Sequence, residues 1–168
     1  MNKKARKYIE KLQLQRHPEG GYYKEIYRAG EIIVAKNLPK RYKSSRSFST
    51  SIYFLLEGKQ VSTFHRLKSD EQWHFYDGTE VILYIIDLNG SLNKICLGKN
   101  CGKGESFQVV MPKYSWFGAE LKDKTSFALL GCNVSPGFDF KDFELGSREI
   151  LLRKYPEYEK VIIRLTRK

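Results

Sequence analysis

The sequence predicts an all-β domain of antiparallel strands, a sandwich or barrel, with short helices at its two ends. Three observations carry that prediction. The 168-residue chain is rich in side chains that suit pleated, half-buried surfaces, with 11 Tyr and 10 Phe. Short apolar or alternating runs follow one another closely, separated by turn residues. No helical pattern interrupts them, which argues against a parallel α/β sheet. With 41% hydrophobic and 29% charged residues, the composition is that of one globular domain able to bury a core.

The elements are expected in this order. Residues 4–14 read as a helix with Tyr8, Ile9 and Leu12 on one side. His17-Pro18-Glu19-Gly20-Gly21 breaks it, because proline and paired glycines force a turn. YYKEIYRA and EIIVA are extended. Residues 36–47, polar and basic, read as a long loop and a candidate for mobility. Strand signals then come as FSTSIYFLL, VSTFHRL, QWHFY, EVILYIID, SLNKICL, SFQVVM, SWFGAEL and TSFALLGCNV. Asp77-Gly78 and Asn89-Gly90 between them are hairpin signals. Residues 147–165 form a helical tail interrupted by Pro156. The whole is one domain, 1–168, with its barrel at about 22–145.

The net charge is +11, but it gathers at the chain ends and around Lys36 to Arg46. Solvated tails and a solvated loop are expected rather than a nucleic-acid surface, since no helix-turn-helix, zinc finger or RNP pattern accompanies the charge. No apolar stretch reaches the roughly 18 residues of a membrane span, and the basic N-terminus lacks the apolar region of a secretory signal. Cys96, Cys101 and Cys132 form no Cys-x-x-Cys and are expected to be reduced thiols in a cytoplasmic protein, with Cys132 a small core residue. Glu19-Gly20-Gly21 lacks the spacing of a phosphate-binding loop, and no Gly-x-Ser-x-Gly elbow marks a serine hydrolase.

Chemistry concentrates between His65 and Gly78. By strand alternation His65 and Leu67 share a face, as do Glu71, Trp73 and Phe75. Two neighbouring strands joined by a short turn would aim His65 and Glu71 into one interior. The spacing His65, Glu71, Gly78, with Gly58 upstream, resembles the first motif of the cupin superfamily. Longer strings resemble cupin family five: HPEGGYYKEIYR, TSIYFLLEG, STFHRLKSDEQWHFYDG, QVVMPKYSWFGA and GCNVSPGFDFKDFELGSR. Together they span most of residues 17–148. The resemblance implies an antiparallel jelly-roll β-barrel, a homodimer and a deep aromatic-lined pocket for a small molecule. It also implies four metal ligands, of which this chain keeps His65 and Glu71. Leu67 replaces the second His and Phe117 aligns with the last. His74 could add a nitrogen, but alternation turns it away. No cofactor is therefore expected; a divalent metal, if bound, would rest on His65 and Glu71.

His65 is the candidate base or ligand anchor, and it matches by fold analogy the base of metal-free sugar-nucleotide epimerases. Glu71 is the second candidate catalytic residue, as partner of His65 or in a salt bridge to Arg46 or Arg66. Candidate ligand contacts are Tyr23, Glu25, Arg46, Tyr53, Trp73, His74, Gln108, Trp116, Phe117, Phe138 and Asp139. Asp139 could instead cap a turn, and His17 reads as a turn or cap residue. The expected function is a small-molecule-binding cupin, working as a metal-independent epimerase or isomerase on a sugar-like or planar anionic ligand. The alternatives are a metal-dependent dioxygenase or isomerase and a non-catalytic sensor.

Overall fold

The computed structural model describes residues 2–167. Its strands are β1 (Gln15–Arg16), β2 (Tyr22–Arg28), β3 (Ile32–Ile33), β4 (Arg46–Ser47), β5 (Thr50–Glu57), β6 (Val61–Leu67), β7 (Asp70–Gly78), β8 (Val81–Ile86), β9 (Leu92–Leu97), β10 (Gln108–Met111), β11 (Trp116–Leu121), β12 (Phe127–Ser135) and β13 (Phe143–Leu145). The helices are α1 (Lys3–Lys11), α2 (Arg148–Lys154) and α3 (Glu159–Arg164).

The strands form two facing antiparallel sheets, ordered β1-β2-β5-β12-β7-β10 and β13-β6-β11-β8-β9, with β3-β4 as a small ribbon. This is the jelly roll that the resemblance implied. It is refined in one respect: the two large sheets are not hydrogen-bonded into a closed ring. Alternation builds the interior. Along β7, Glu71, Trp73 and Phe75 are buried while Asp70, Gln72 and Tyr76 are exposed. The inward faces bring Phe54, Trp73, Leu83, Met111, Phe117 and Leu130 into one core.

Terminal helices cover the outer faces. Ala5 of α1 and Leu14 pack on Leu55, Phe127 and Leu129. Leu151 of α2 and Ile162 of α3 pack on Phe64, Tyr84 and Trp116. α1 begins with Asn2, whose side chain accepts from the Lys4 and Ala5 N–H groups. It stops short of residue 14 because Gln13 takes φ +56°, a left-handed conformation that a helix cannot continue through. Among the described residues no helix is long and apolar enough to cross a membrane, and all three cysteines are free.

Three expectations are corrected. Asn89-Gly90 does join the hairpin β8–β9, but Asp77-Gly78 does not make one. There the chain passes from one sheet to the other, and Gly78 takes φ +107° with a Cβ position only 2.0 Å from the Phe127 carbonyl oxygen. Likewise β6 and β7 lie in opposite sheets, so His65 and Glu71 meet across the sandwich rather than along neighbouring strands. Residues 36–47 are also anchored rather than free. Tyr42 is buried and its hydroxyl meets Ser69 Oγ at 2.8 Å, while Arg46 forks onto Asp142 at 2.6 and 2.7 Å.

The turn before β2 needs its glycines. Gly20 has φ +117°, and a Cβ there would sit 2.1 Å from the Val61 carbonyl oxygen. Gly20→Ala should therefore destabilise the fold by about 3 kcal/mol, against about 1 kcal/mol for Gly104→Ala. Gly104 also has positive φ but open space around it. Urea unfolding midpoints compare the two; equal losses would show that the turn does not press on β6.

Candidate functional site

A cavity of about 160 Å³ lies between the sheets. Its floor comes from β5, β6, β7 and β12, with Phe54, His65, Leu67, Glu71, Cys132 and Val134 facing in. The turn between β1 and β2 supplies His17 and Glu19, and Phe138, Phe140 and Phe143 close one side. Tyr23, Glu25 and Arg28 of β2 also line it, with Gln15.

Glu19 is the polar centre of this site, and a bulge explains why. Opposite Phe117 to Ala119 of β11, β6 runs from His65 to Ser62 and so carries an extra residue. The Thr63 N–H then turns to the Glu19 carbonyl at 2.9 Å, and the Thr63 hydroxyl donates to the same oxygen at 2.9 Å. The Glu19 side chain enters the interior, where Oε1 accepts from the Ser62 hydroxyl at 2.8 Å. Its Oε2 lies 3.2 Å from His65 Nε2 and 3.4 Å from His17 Nδ1.

The partners assign the protons. His65 Nδ1 lies 2.8 Å from the Thr63 carbonyl, an acceptor, so Nδ1 carries hydrogen. Nε2 then presents a lone pair to Glu19, and the contact is favourable only with a proton between the two. Burial pushes the Glu19 carboxyl up, with His17 and the Ser62 hydroxyl holding it back in part. Burial also pushes His65 down to about 4, against the opposing hydrogen bond to Thr63. Both directions place the shared proton on Glu19. His17 is also pushed down by burial, partly restored by Glu19. Its Nδ1 accepts the Glu19 N–H at 3.3 Å.

Glu71 faces the cavity from the opposite sheet. Burial pushes its carboxyl up to about 8, and the neighbouring Glu19 adds to the rise. The Trp73 indole N–H offsets a little of it without completing a hydrogen bond. Glu71 is therefore a neutral acid near pH 7. Burial, then Glu71 and Glu19, raise the Cys132 thiol, which stays protonated.

Of the residues singled out from the sequence, His65, Glu71, Tyr23, Glu25 and Phe138 line the cavity. The others lie elsewhere. Phe117 packs behind His65 with ring centroids 4.1 Å apart, and Trp73 is in the core against Phe54. Tyr53 meets Tyr76, which is exposed. His74 pairs in register with Gln108, which is exposed on β10. Trp116 is buried under the C-terminal helices, with the Arg66 guanidinium over its ring. Arg46 binds Asp142 and Arg66 binds Glu144, so neither neutralises Glu71. Asp139 caps a turn by accepting the Lys141 N–H. Sequence reasoning missed Glu19 and read His17 as a turn residue. The one usable signal was a Glu with no periodic context placed directly before paired glycines.

Two further corrections concern partners. Glu19, not Glu71, holds His65. An anionic ligand of the kind expected would meet Glu19, Glu25 and Glu71 but, among the described residues that line the cavity, one guanidinium. That cation, Arg28, is already forked onto Glu25 at 3.0 and 2.7 Å.

The sequence matches the family model Cupin_5, Cupin superfamily (DUF985), over residues 6–146. The chain belongs to this family. Among solved cupin structures, protein SO0799 from Shewanella oneidensis is 40% identical with a TM-score of 0.87, covering 96% of each chain. A hypothetical protein from Leishmania major is 31% identical with a TM-score of 0.87, covering 98% of this chain and 99% of its own. Oxalate decarboxylase from Bacillus subtilis is 14% identical with a TM-score of 0.54, over 89% of this chain and 36% of its own; that likeness is one of fold. No curated protein matches the chain.

The metal ligands implied by the superfamily motif do not fit this cupin. Leu67 and Phe117 bring no donor atoms, and both His65 nitrogens are engaged. Among the described residues no group of three or more His, Cys, Asp or Glu is arranged to hold a metal ion.

The two shifted groups leave opposite marks on stability. Glu71 titrates near 4.5 in the unfolded chain and about 8 in the fold, so the folded state holds the extra proton and stability falls as pH rises through that window. His65 goes from 6.5 to about 4 on folding, so its contribution rises with pH up to 6.5 and is level above. From pH 6.5 to 8 the Glu71 decline stands alone between these two, at about 2 kcal/mol. Glu71→Gln should remove that decline in urea unfolding at the two pH values; an unchanged slope would place the ionised form of Glu71 in the native state.

Proposed function

We propose that this chain is a small-molecule-binding cupin that moves protons on its ligand without a metal, as an isomerase or epimerase. One observation carries the reading. A neutral carboxylic acid and a buried imidazole–carboxyl pair face the same cavity from opposite sheets, and their titrations are pushed apart. Separation of this kind assigns acid and base roles near neutral pH.

Glu71 is the acid. It gives its proton to an acceptor atom of the ligand, a carbonyl oxygen or ring nitrogen, as electron density moves onto that atom. When the proton held by Glu19 turns away from His65 Nε2, the freed lone pair takes the proton from the adjacent carbon; its return to a different position or face, as the ligand's acceptor atom gives its proton back to Glu71, completes the isomerisation. Phe54, which is buried, and the half-buried Tyr23, Phe138 and Phe143 limit water at the cavity, and the burial of His65 and Glu71 keeps both groups at their shifted titrations. The cavity is close to the roughly 150 Å³ that holds benzene in an engineered protein core, which supports a ligand of one small ring.

A thermal-shift screen of small cyclic metabolites, followed by hydrogen–deuterium exchange into each hit in D₂O, tests this. Ligands that bind should exchange one carbon-bound hydrogen, and His65→Ala or Glu71→Gln should slow that exchange by about 10²–10⁴-fold. Exchange that persists at full rate in His65→Ala would remove its role as base. Hits that bind without exchange would instead favour a sensor.

A further inference from the structure

The reading of this cavity as a ligand site can be carried further, to the charge of what it holds. The walls combine aromatic rings with two buried carboxyls, Glu19 and Glu71, that no lysine or arginine pairs among the described residues. Tyr23, Phe54, Phe138, Phe140 and Phe143 line the space. The Phe138 and Phe140 rings meet edge to face at 5.0 Å, and His17 meets Tyr23 in the same way at 4.5 Å. Into this enclosure project Glu19 and Glu71, 5% and 7% exposed. Among the described residues no lysine lines the cavity. The one guanidinium among the described lining residues, Arg28, is held by Glu25 and donates to the Phe138 carbonyl at 3.2 Å and toward the Ser47 hydroxyl at 3.4 Å. The Trp73 indole N–H approaches the Glu71 carboxyl, which lines the cavity and is open to a ligand.

Aromatic faces and buried carboxyls favour the same partner. Ring quadrupoles attract positive charge, most strongly where water is excluded. A buried carboxyl without a cation accepts a positively charged donor and is stabilised as its carboxylate by doing so. A neutral ligand leaves these fields unused, and an anion opposes both.

We propose that the cavity selects a small, flat organic base bound as its cation, such as an amidinium or a protonated nitrogen ring, over neutral and anionic molecules of the same shape. Glu71 is the group that pairs with it. Transfer of the Glu71 proton to a neutral base and direct binding of the cation to the carboxylate give the same complex, with one proton between ligand nitrogen and Glu71. This deepens the proton-transfer reading, because it makes the ligand's proton-accepting atom a nitrogen. It requires only that the cavity be a ligand site.

Isosteric series test it on the intact protein. Titration calorimetry would compare benzamidinium, benzamide and benzoate, and the smaller acetamidinium, acetamide and acetate. In at least one series the cation should bind about tenfold or more tightly than its amide, and the carboxylate should bind weakest. Glu71→Gln, which keeps volume and loses the charge, should bring the cation down to the amide's affinity and leave the amide unchanged. An amide or carboxylate that binds as well as the cation would overturn the charge selection while leaving the ligand site standing. Failure of all six compounds to bind would overturn both. A cation preference that survives in Glu71→Gln would overturn the assignment to Glu71.

Discussion

The docking of Glu19 against β6 is the contact on which the cavity depends. The bulge opposite Gly118 leaves two neighbouring N–H groups of β6 without ladder partners. A buried N–H without an acceptor costs about 1–3 kcal/mol, so something must supply one. The Glu19 carbonyl takes the Thr63 N–H and the Leu165 carbonyl takes that of Phe64. One local irregularity thus ties both chain ends to a central strand. The same bulge turns the Thr63 carbonyl toward His65 Nδ1, which fixes the tautomer and aims Nε2 at the Glu19 carboxyl. Gly20 and Gly21 let the turn approach closely enough for this, each at positive φ against the backbone of β6 or β5.

The fold was legible in the sequence where a period could form. Along β7 the alternation of Glu71, Trp73 and Phe75 with Gln72, His74 and Tyr76 puts the first set inside, as the spacing says it should. The site was legible only where it sits on such strands, at His65 and Glu71. Glu19 and His17 lie in a turn, where no period tells inside from outside, and their placement depends on a bulge more than forty residues away in the chain. Aromatic type was a poor guide for a related reason. Both faces of each sheet carry rings, since terminal helices cover part of the outer surfaces. Trp116 is therefore as buried as a cavity residue without being near the cavity. The strand β13 is three residues long, too short for its alternation to be read, yet it brings Phe143 to the cavity wall.

Charge misleads when summed over the chain. The +11 of the whole sequence resides on solvated side chains, whose fields fall off over about 8 Å at physiological salt. Inside the cavity the carboxyls feel burial first. Glu71 rises because water is missing and because Glu19 is near, and no surface lysine reverses that. Affinity for a ligand is set by the groups that touch it, so a basic protein can hold an acid-lined pocket.

Burying Glu19, Glu71, His17 and His65 together would be prohibitive if all were charged, since an unpaired ion costs several kcal/mol to desolvate. Sharing one proton between Glu19 and His65, with Glu71 protonated and His17 neutral, brings the group to zero net charge. The apolar residues at the two lost ligand positions help to enforce that state. Leu67 lines the cavity and Phe117 packs against the His65 ring, and both displace the water or donors that would favour charge. A polar side chain at either place would solvate His65 or Glu71 and draw its titration back toward the ordinary value. The absent donor atoms at these two positions and the separated titrations of His65 and Glu71 therefore have a common physical origin in the same two apolar side chains.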